Sequence, residues 1–174
     1  MVSSVNGTVD SRLQVTLLAF DQYDNTATSY NNTVILNSSP TINGSGTVVI
    51  ASGRADVDLY SRTVTTYTLS LTGSTLNTSS VATALFGSGV PRSVVIQDPR
   101  DSFANTTIEV TIRAFDQYGN LAVTEGRTVT LVLSGSAVGG GVVSFVNGVA
   151  KKNITNAVVQ TVALSLIDSA IPFP

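Results

Sequence analysis

Apolar and polar residues alternate through long stretches of this chain, with the period of a β-strand. Ile108, Val110, Ile112 and Ala114 are interleaved with Glu109, Thr111 and Arg113. A period of two places one set on a core face and the other in solvent. Leu13, Val15, Leu17 and Ala19 carry the same phase near the N-terminus. The pattern predicts further strands over residues 33–37, 47–50, 55–59, 65–71, 81–86 and 90–96, then over 128–132, 142–145, 150–154 and 160–166. Turn formers divide them at 38–40, 43–46, 52–53, 134–136 and 139–141. No helical apolar period of useful length competes with this reading.

The strands recur in order. Residues 15–25 read VTLLAFDQYDN and residues 110–120 read VTIRAFDQYGN, an offset of 95. The offset holds without a gap from 15–71 onto 110–166 and gives 23 identities in those 57 positions, far beyond chance. The chain therefore reads as two copies of one all-β unit, residues 1–89 and 90–174, joined near 86–91. Short strands in a unit near this length fit an immunoglobulin-like β-sandwich.

The run VTIRAFDQYGNLAV, then TVTLVLSG, a Gly-opened strand at Gly148 and a late TVALSL resemble tandem bacterial Ig-like repeats of the invasin and intimin type. That resemblance covers nearly the whole chain and implies extracellular stalks, adhesion arrays or surface filaments, not a particular ligand. Copy one departs from it at Asp24, where the family's turn usually carries Gly.

Composition narrows the chemistry. The 174 residues include no Cys, His or Trp, which excludes disulfides, zinc fingers, Cys nucleophiles and His general bases. Charged residues are 11% and the net charge is −2, with no basic cluster beyond Lys151 and Lys152. Charge-driven binding to nucleic acid or anionic membranes is not expected, and no apolar run is long enough to span a bilayer. Polarity comes instead from 21 Ser, 23 Thr and 12 Asn. Neither a cofactor nor an enzymatic activity is expected, because two small sandwiches offer no obvious large cleft.

Two turns stand out: Asp21, Tyr23, Asp24 and Asn25 in copy one, and Asp116, Tyr118, Gly119 and Asn120 in copy two. Their oxygens suit calcium, but a calcium site wants six to eight oxygens and one such turn rarely supplies them. A structural turn, with the Asp and Asn side chains bonded to nearby N–H groups and the tyrosines covering the sandwich end, is the expected role. Asp56 and Asp58 share the outward phase of one strand and are expected to be solvated. Asp98 and Asp101 flank Arg100, which points to local pairing rather than a cation site.

N-x-Ser/Thr tripeptides occur at Asn6, Asn31, Asn37, Asn43, Asn77, Asn105 and Asn153, seven where composition predicts about three. In a eukaryotic secretory source these would carry N-glycans, which would also protect a surface so poor in charge. The ends raise a further expectation. The image of strand 81–86 falls at 176–181, past Pro174, and the image of strand 90–96 falls largely before Met1. Copy one then lacks most of its first strand and copy two its last. Either neighbouring repeats of a longer chain follow, or residues 1–10 of one molecule complete copy two of the next, head to tail. The function expected is a non-enzymatic extracellular stalk or fibre; the alternative is an adhesion or carbohydrate-binding module.

Overall fold

A computed structural model describes residues 1–73 and 75–167. They fall into two compact units, divided between Gly87 and Ser88. The first unit contains β1 (Val5–Thr8), β2 (Leu13–Leu18), β3 (Asn32–Ser39), β4 (Gly46–Ile50), β5 (Arg54–Leu59), β6 (Thr65–Thr72) and β7 (Val81–Gly87). One layer is a five-stranded sheet in the order β1-β7-β6-β3-β4; the other is the pair β2-β5. Period-two alternation makes this a sandwich: Val15 and Leu17 from one layer meet Leu36, Leu69 and Phe86 from the other in a single buried cluster. Burying side chains of this size contributes roughly 1.5–3 kcal/mol each.

The second unit contains β8 (Ser93–Gln97), β9 (Ile108–Phe115), β10 (Thr128–Leu133), β11 (Gly141–Ser144), β12 (Val149–Ile154) and β13 (Leu164–Ile167). Its sheets run β11-β10-β13 and β12-β9-β8, and Val110, Ile112, Leu131 and Phe145 lie in its core. Three ladders keep the register of the first unit. Val34 faces Val48 as Val129 faces Val143, Leu36 faces Leu71 as Leu131 faces Leu166, and Leu13 faces Leu59 as Ile108 faces Ile154. Adding 95 to either member of the first pair gives the second each time. A one-residue slip would turn every core side chain outward, so the shared apolar phase accounts for the shared register.

Two sequence expectations are corrected. Residues 1–10 do have a place in the first unit. Val2 bridges Leu17, the Leu18 N–H donates to Met1 O at 2.9 Å, and β1 pairs in parallel with β7. Val2 and Val9 are buried and Val5 is half-buried against the same core, so three widely spaced valines suffice to anchor the segment. The strand expected over 160–166 is ordered as β13 only from Leu164. The boundary between the units, at Gly87 and Ser88, falls within the expected junction near 86–91: Phe86 lies in the first core, while Ser88 and Gly89 are buried in the second unit.

Candidate functional site

The paired turns follow β2 and β9 and are built alike. The Asp21 N–H donates to Asn25 O at 2.9 Å and the Asp24 N–H to Asp21 O at 3.2 Å; the second unit has Asp116 N–H to Asn120 O and Gly119 N–H to Asp116 O at the same distances. Each Asp carboxylate then gathers the turn. Asp21 Oδ1 accepts the N–H groups of Tyr23 (2.8 Å) and Asn25 (3.0 Å), and the Asn25 side-chain amide donates to Oδ2 at 3.3 Å. Asp116 Oδ1 accepts the N–H groups of Tyr118 and Asn120, both at 2.9 Å. Its Oδ2 accepts the Asn120 amide and the Gly89 N–H, both at 3.0 Å. These are Asx turns with their acceptors filled by N–H donors.

The last bond has no counterpart in the first unit, and it changes the electrostatics. Asp21 is exposed, and the N–H groups of Asn25 and Tyr23 hold its carboxyl below the ordinary value. Asp116 is buried, which alone would raise it, but the Asn120 side chain and the Gly89, Asn120 and Tyr118 N–H groups hold it below that value. Ser88 adds a second tie, its hydroxyl accepting the Val123 N–H at 3.2 Å. A glycine completes each motif from the far side. Gly53 and Gly148 hold φ at 77° and 76°, and an added Cβ would stand 2.6 Å from the carbonyl oxygens of Ala27 and Ala122.

The tyrosines depart from expectation. Tyr23 is 76% and Tyr118 40% exposed, so neither seals the end of a sandwich. The carboxylate already ties the turn through backbone donors, and the side chain that follows it is directed outward. Among the seven sequons, Asn6, Asn31, Asn43, Asn77, Asn105 and Asn153 are exposed and Asn37 is half-buried. Two amides are already engaged: Asn31 donates to Ser29 O and Asn37 to Thr72 Oγ1 at 2.8 Å. Asn105 sits in a turn with φ of 65°.

Among the described residues Arg100 forms no ion pair with Asp98 or Asp101, contrary to expectation, whereas Asp56 and Asp58 are each held by an arginine. Asp56 accepts from Thr16 Oγ1 at 2.7 Å and pairs with Arg54, while Asp58 pairs with Arg12 across 3.7 Å. Glu125 was not among the residues singled out from the sequence. It is 2% exposed and bound by Arg127, whose Nε lies 2.9 Å from Oε1, and that partner holds its carboxyl below the ordinary value. Glu125 stands where the first unit has Tyr30, so the repeat comparison masked it; the neighbouring arginine two residues on was the available signal. Among the described residues no group of three or more acidic side chains converges as a metal site would require.

No family model matches the chain, and no curated protein does. Solved structures do. The Escherichia coli adhesin FdeC is 19% identical with a TM-score of 0.52, over 95% of this chain and 58% of that one. The D0-D1 domain of intimin is 17% identical with a TM-score of 0.40, over 99% and 92%. A β-glycosidase from Bacteroides vulgatus is 13% identical with a TM-score of 0.44, over 91% and 21%. This chain thus spans a little over half of FdeC and about a fifth of the glycosidase. The likeness is one of fold: all-β, with immunoglobulin-like sandwiches.

Proposed function

We propose that the chain is a non-enzymatic extracellular structural element of a surface stalk or fibre, of the adhesion type. The observation that carries this reading is the paired turn. In both units the carboxylate that a metal or substrate site would have used is occupied by N–H donors of its own turn. Such a turn keeps its carboxylate engaged with its own backbone. Fold likeness to an E. coli adhesin supports the surface setting. The 95-residue recurrence supports an arrangement of such units in series, and its partners are then neighbouring repeats or further copies joined head to tail. A neutral exterior carrying N-glycans is part of the same proposal. Antiparallel ladders such as β3-β6 and β10-β13 must break several hydrogen bonds together when pulled along the strands, which suits a tensile role.

Stretching single molecules from their two ends tests this: two discrete unfolding events are expected, one per unit. Gradual extension without them would remove the tensile role. A glycan panel tests the alternative, a carbohydrate-binding module. Specific sub-millimolar binding there would replace the stalk reading.

A further inference from the structure

The β3–β4 and β5–β6 loops of the first unit share their backbone with their counterparts in the second unit, but not their side chains. Asn43 bridges Tyr60 as Val138 bridges Thr155, the two pairs related by the offset of 95. Gly44 and Gly139 hold φ at 95° and 101°, and an added Cβ would collide with Asp58 O in one and Asn153 O in the other. Neither position admits a side chain, so the loop is seated on β5 and on β12 in the same way.

What the shared backbone carries differs. Asn43, Tyr60, Arg62 and Tyr67 of the first unit correspond to Val138, Thr155, Ala157 and Val162 of the second. With Thr41 and Thr63, the four first-unit residues line a concave site of about 440 Å³. Its floor is fixed: Tyr67 is buried, its hydroxyl lies 2.8 Å from Ser61 Oγ, and that oxygen accepts the Thr63 N–H at 3.0 Å. Tyr60 is 46% exposed, and the Arg12 guanidinium stands 5.8 Å from its ring centroid while pairing with Asp58. Arg12 likewise has no cationic counterpart, since Thr107 holds that place. Among the described residues no acidic side chain lines the site, so its own charge is positive.

We propose that this site binds a carboxylate-bearing sugar of one or two pyranose rings, a uronic acid being the simplest. Its volume suits a ligand of that class. The Tyr60 ring offers a flat apolar surface to the C–H face of a pyranose. The Asn43 amide both donates and accepts, which matches a pair of neighbouring sugar hydroxyls, and the Thr41 and Thr63 hydroxyls add further partners. Arg62 supplies the charge, since a guanidinium meets a carboxylate through two parallel N–H donors. The bridge and the floor that position these groups are already made in the free chain, so little remains to be ordered on binding. On the same backbone the second unit has Val138, Thr155 and Ala157, and so lacks the amide, the ring and the cation together. The inference goes beyond the stalk reading and does not rest on it. A weak site on one unit is compatible with a stalk, and its absence would leave the two unfolding events under tension untouched.

The test is an amide NMR titration of the full chain with glucuronate, glucose and acetate, on protein made in a bacterial host so that no glycan occupies Asn43. Glucuronate is expected to shift the amides of residues 41–43 and 60–63 with a dissociation constant of about 1 mM, and glucose and acetate to bind about tenfold more weakly or less. Asn43→Val, Tyr60→Thr and Arg62→Ala together place the second unit's residues on a backbone that already carries them there, and should abolish the glucuronate shifts. The reverse exchange, Val138→Asn, Thr155→Tyr and Ala157→Arg, should give the second unit glucuronate-dependent shifts over 136–138 and 155–158, and it reads the proposal even where the first variant fails to fold. No shift with glucuronate, or equal binding by the folded triple variant, overturns the proposal. Equal affinity for acetate reduces the site to a simple anion contact and overturns it; equal affinity for glucose removes recognition of the carboxylate and overturns it as well.

Discussion

Asp24 and Gly119 hold the same place in two equivalent turns, and both adopt positive φ, 63° and 81°. The conformation is thus a property of the turn and not of the glycine. A residue with a Cβ pays for this geometry in steric strain, and Asp is among the side chains that tolerate it best. Replacing Gly119 by Val is expected to destabilise the second unit by about 1 kcal/mol or more, since a β-branched residue fits this region poorly. Gly119→Asp should lose much less, and Asp24→Gly should leave the first unit as stable or more so. Denaturant unfolding of the three variants checks the order. Equal loss for Val and Asp would show that the strain argument is wrong.

Acid should loosen the turns, and the sign follows from the depressed carboxyls. Asp116 titrates below its ordinary value of 3.8 in the folded chain. Its contribution is fully present above that value and is lost as the pH falls through it toward the depressed one. Asp21, Asp56 and Glu125 act in the same direction. Asp116→Asn removes the charge but keeps an acceptor oxygen. The variant should therefore be less stable at neutral pH and show a shallower loss on acidification. A melting curve at each pH reads both effects.

Chelation should change nothing. The oxygens of Asp21 and Asp116 already accept N–H donors, so a cation would have to displace those bonds. Melting temperature with and without a chelator is expected to agree; a clear fall would restore the calcium reading.

Removing residues 1–10 should destabilise the first unit. Val2 and Val9 are each 4% exposed, and β1 closes one edge of the sheet against β7. Loss of both valines alone is worth about 3–6 kcal/mol. Thermal melting of the truncated chain measures it, and an unchanged first transition would return the segment to the role of a free strand.

Glycan occupancy can be read by mass. Secreted from a eukaryotic host, the chain should exceed 18.0 kDa by several sugar units and return to that value after enzymatic removal. A glycan on Asn37 would cost its bond to Thr72 Oγ1, so Asn37→Gln should alter stability more than Asn6→Gln. An unmodified mass removes glycosylation from the proposed function.

The period of the apolar positions was enough to determine which face of β2 and β9 is buried, because one buried face admits one phase: Val15, Leu17, Val110 and Ile112 are fully buried as their alternation requires. The offset of 95 likewise carried the shared turn, since an Asx turn is local and its donors lie within four residues of Asp21 and Asp116. What the sequence left open depended on partners distant in the chain. The place of residues 1–10 is decided by β7, about eighty residues away, through backbone pairing that leaves no periodic trace in so short a segment. Burial of Asp116 is decided by the Gly89 N–H, and that of Glu125 by the packing of a loop whose counterpart carries Tyr30. Among the described residues Leu164 is half-buried and Leu69, whose strand pairs with β7, is fully buried. Identical local sequence, Leu-Ser-Leu in both units, cannot encode that difference, because burial is a property of what packs against a strand and not of the strand itself.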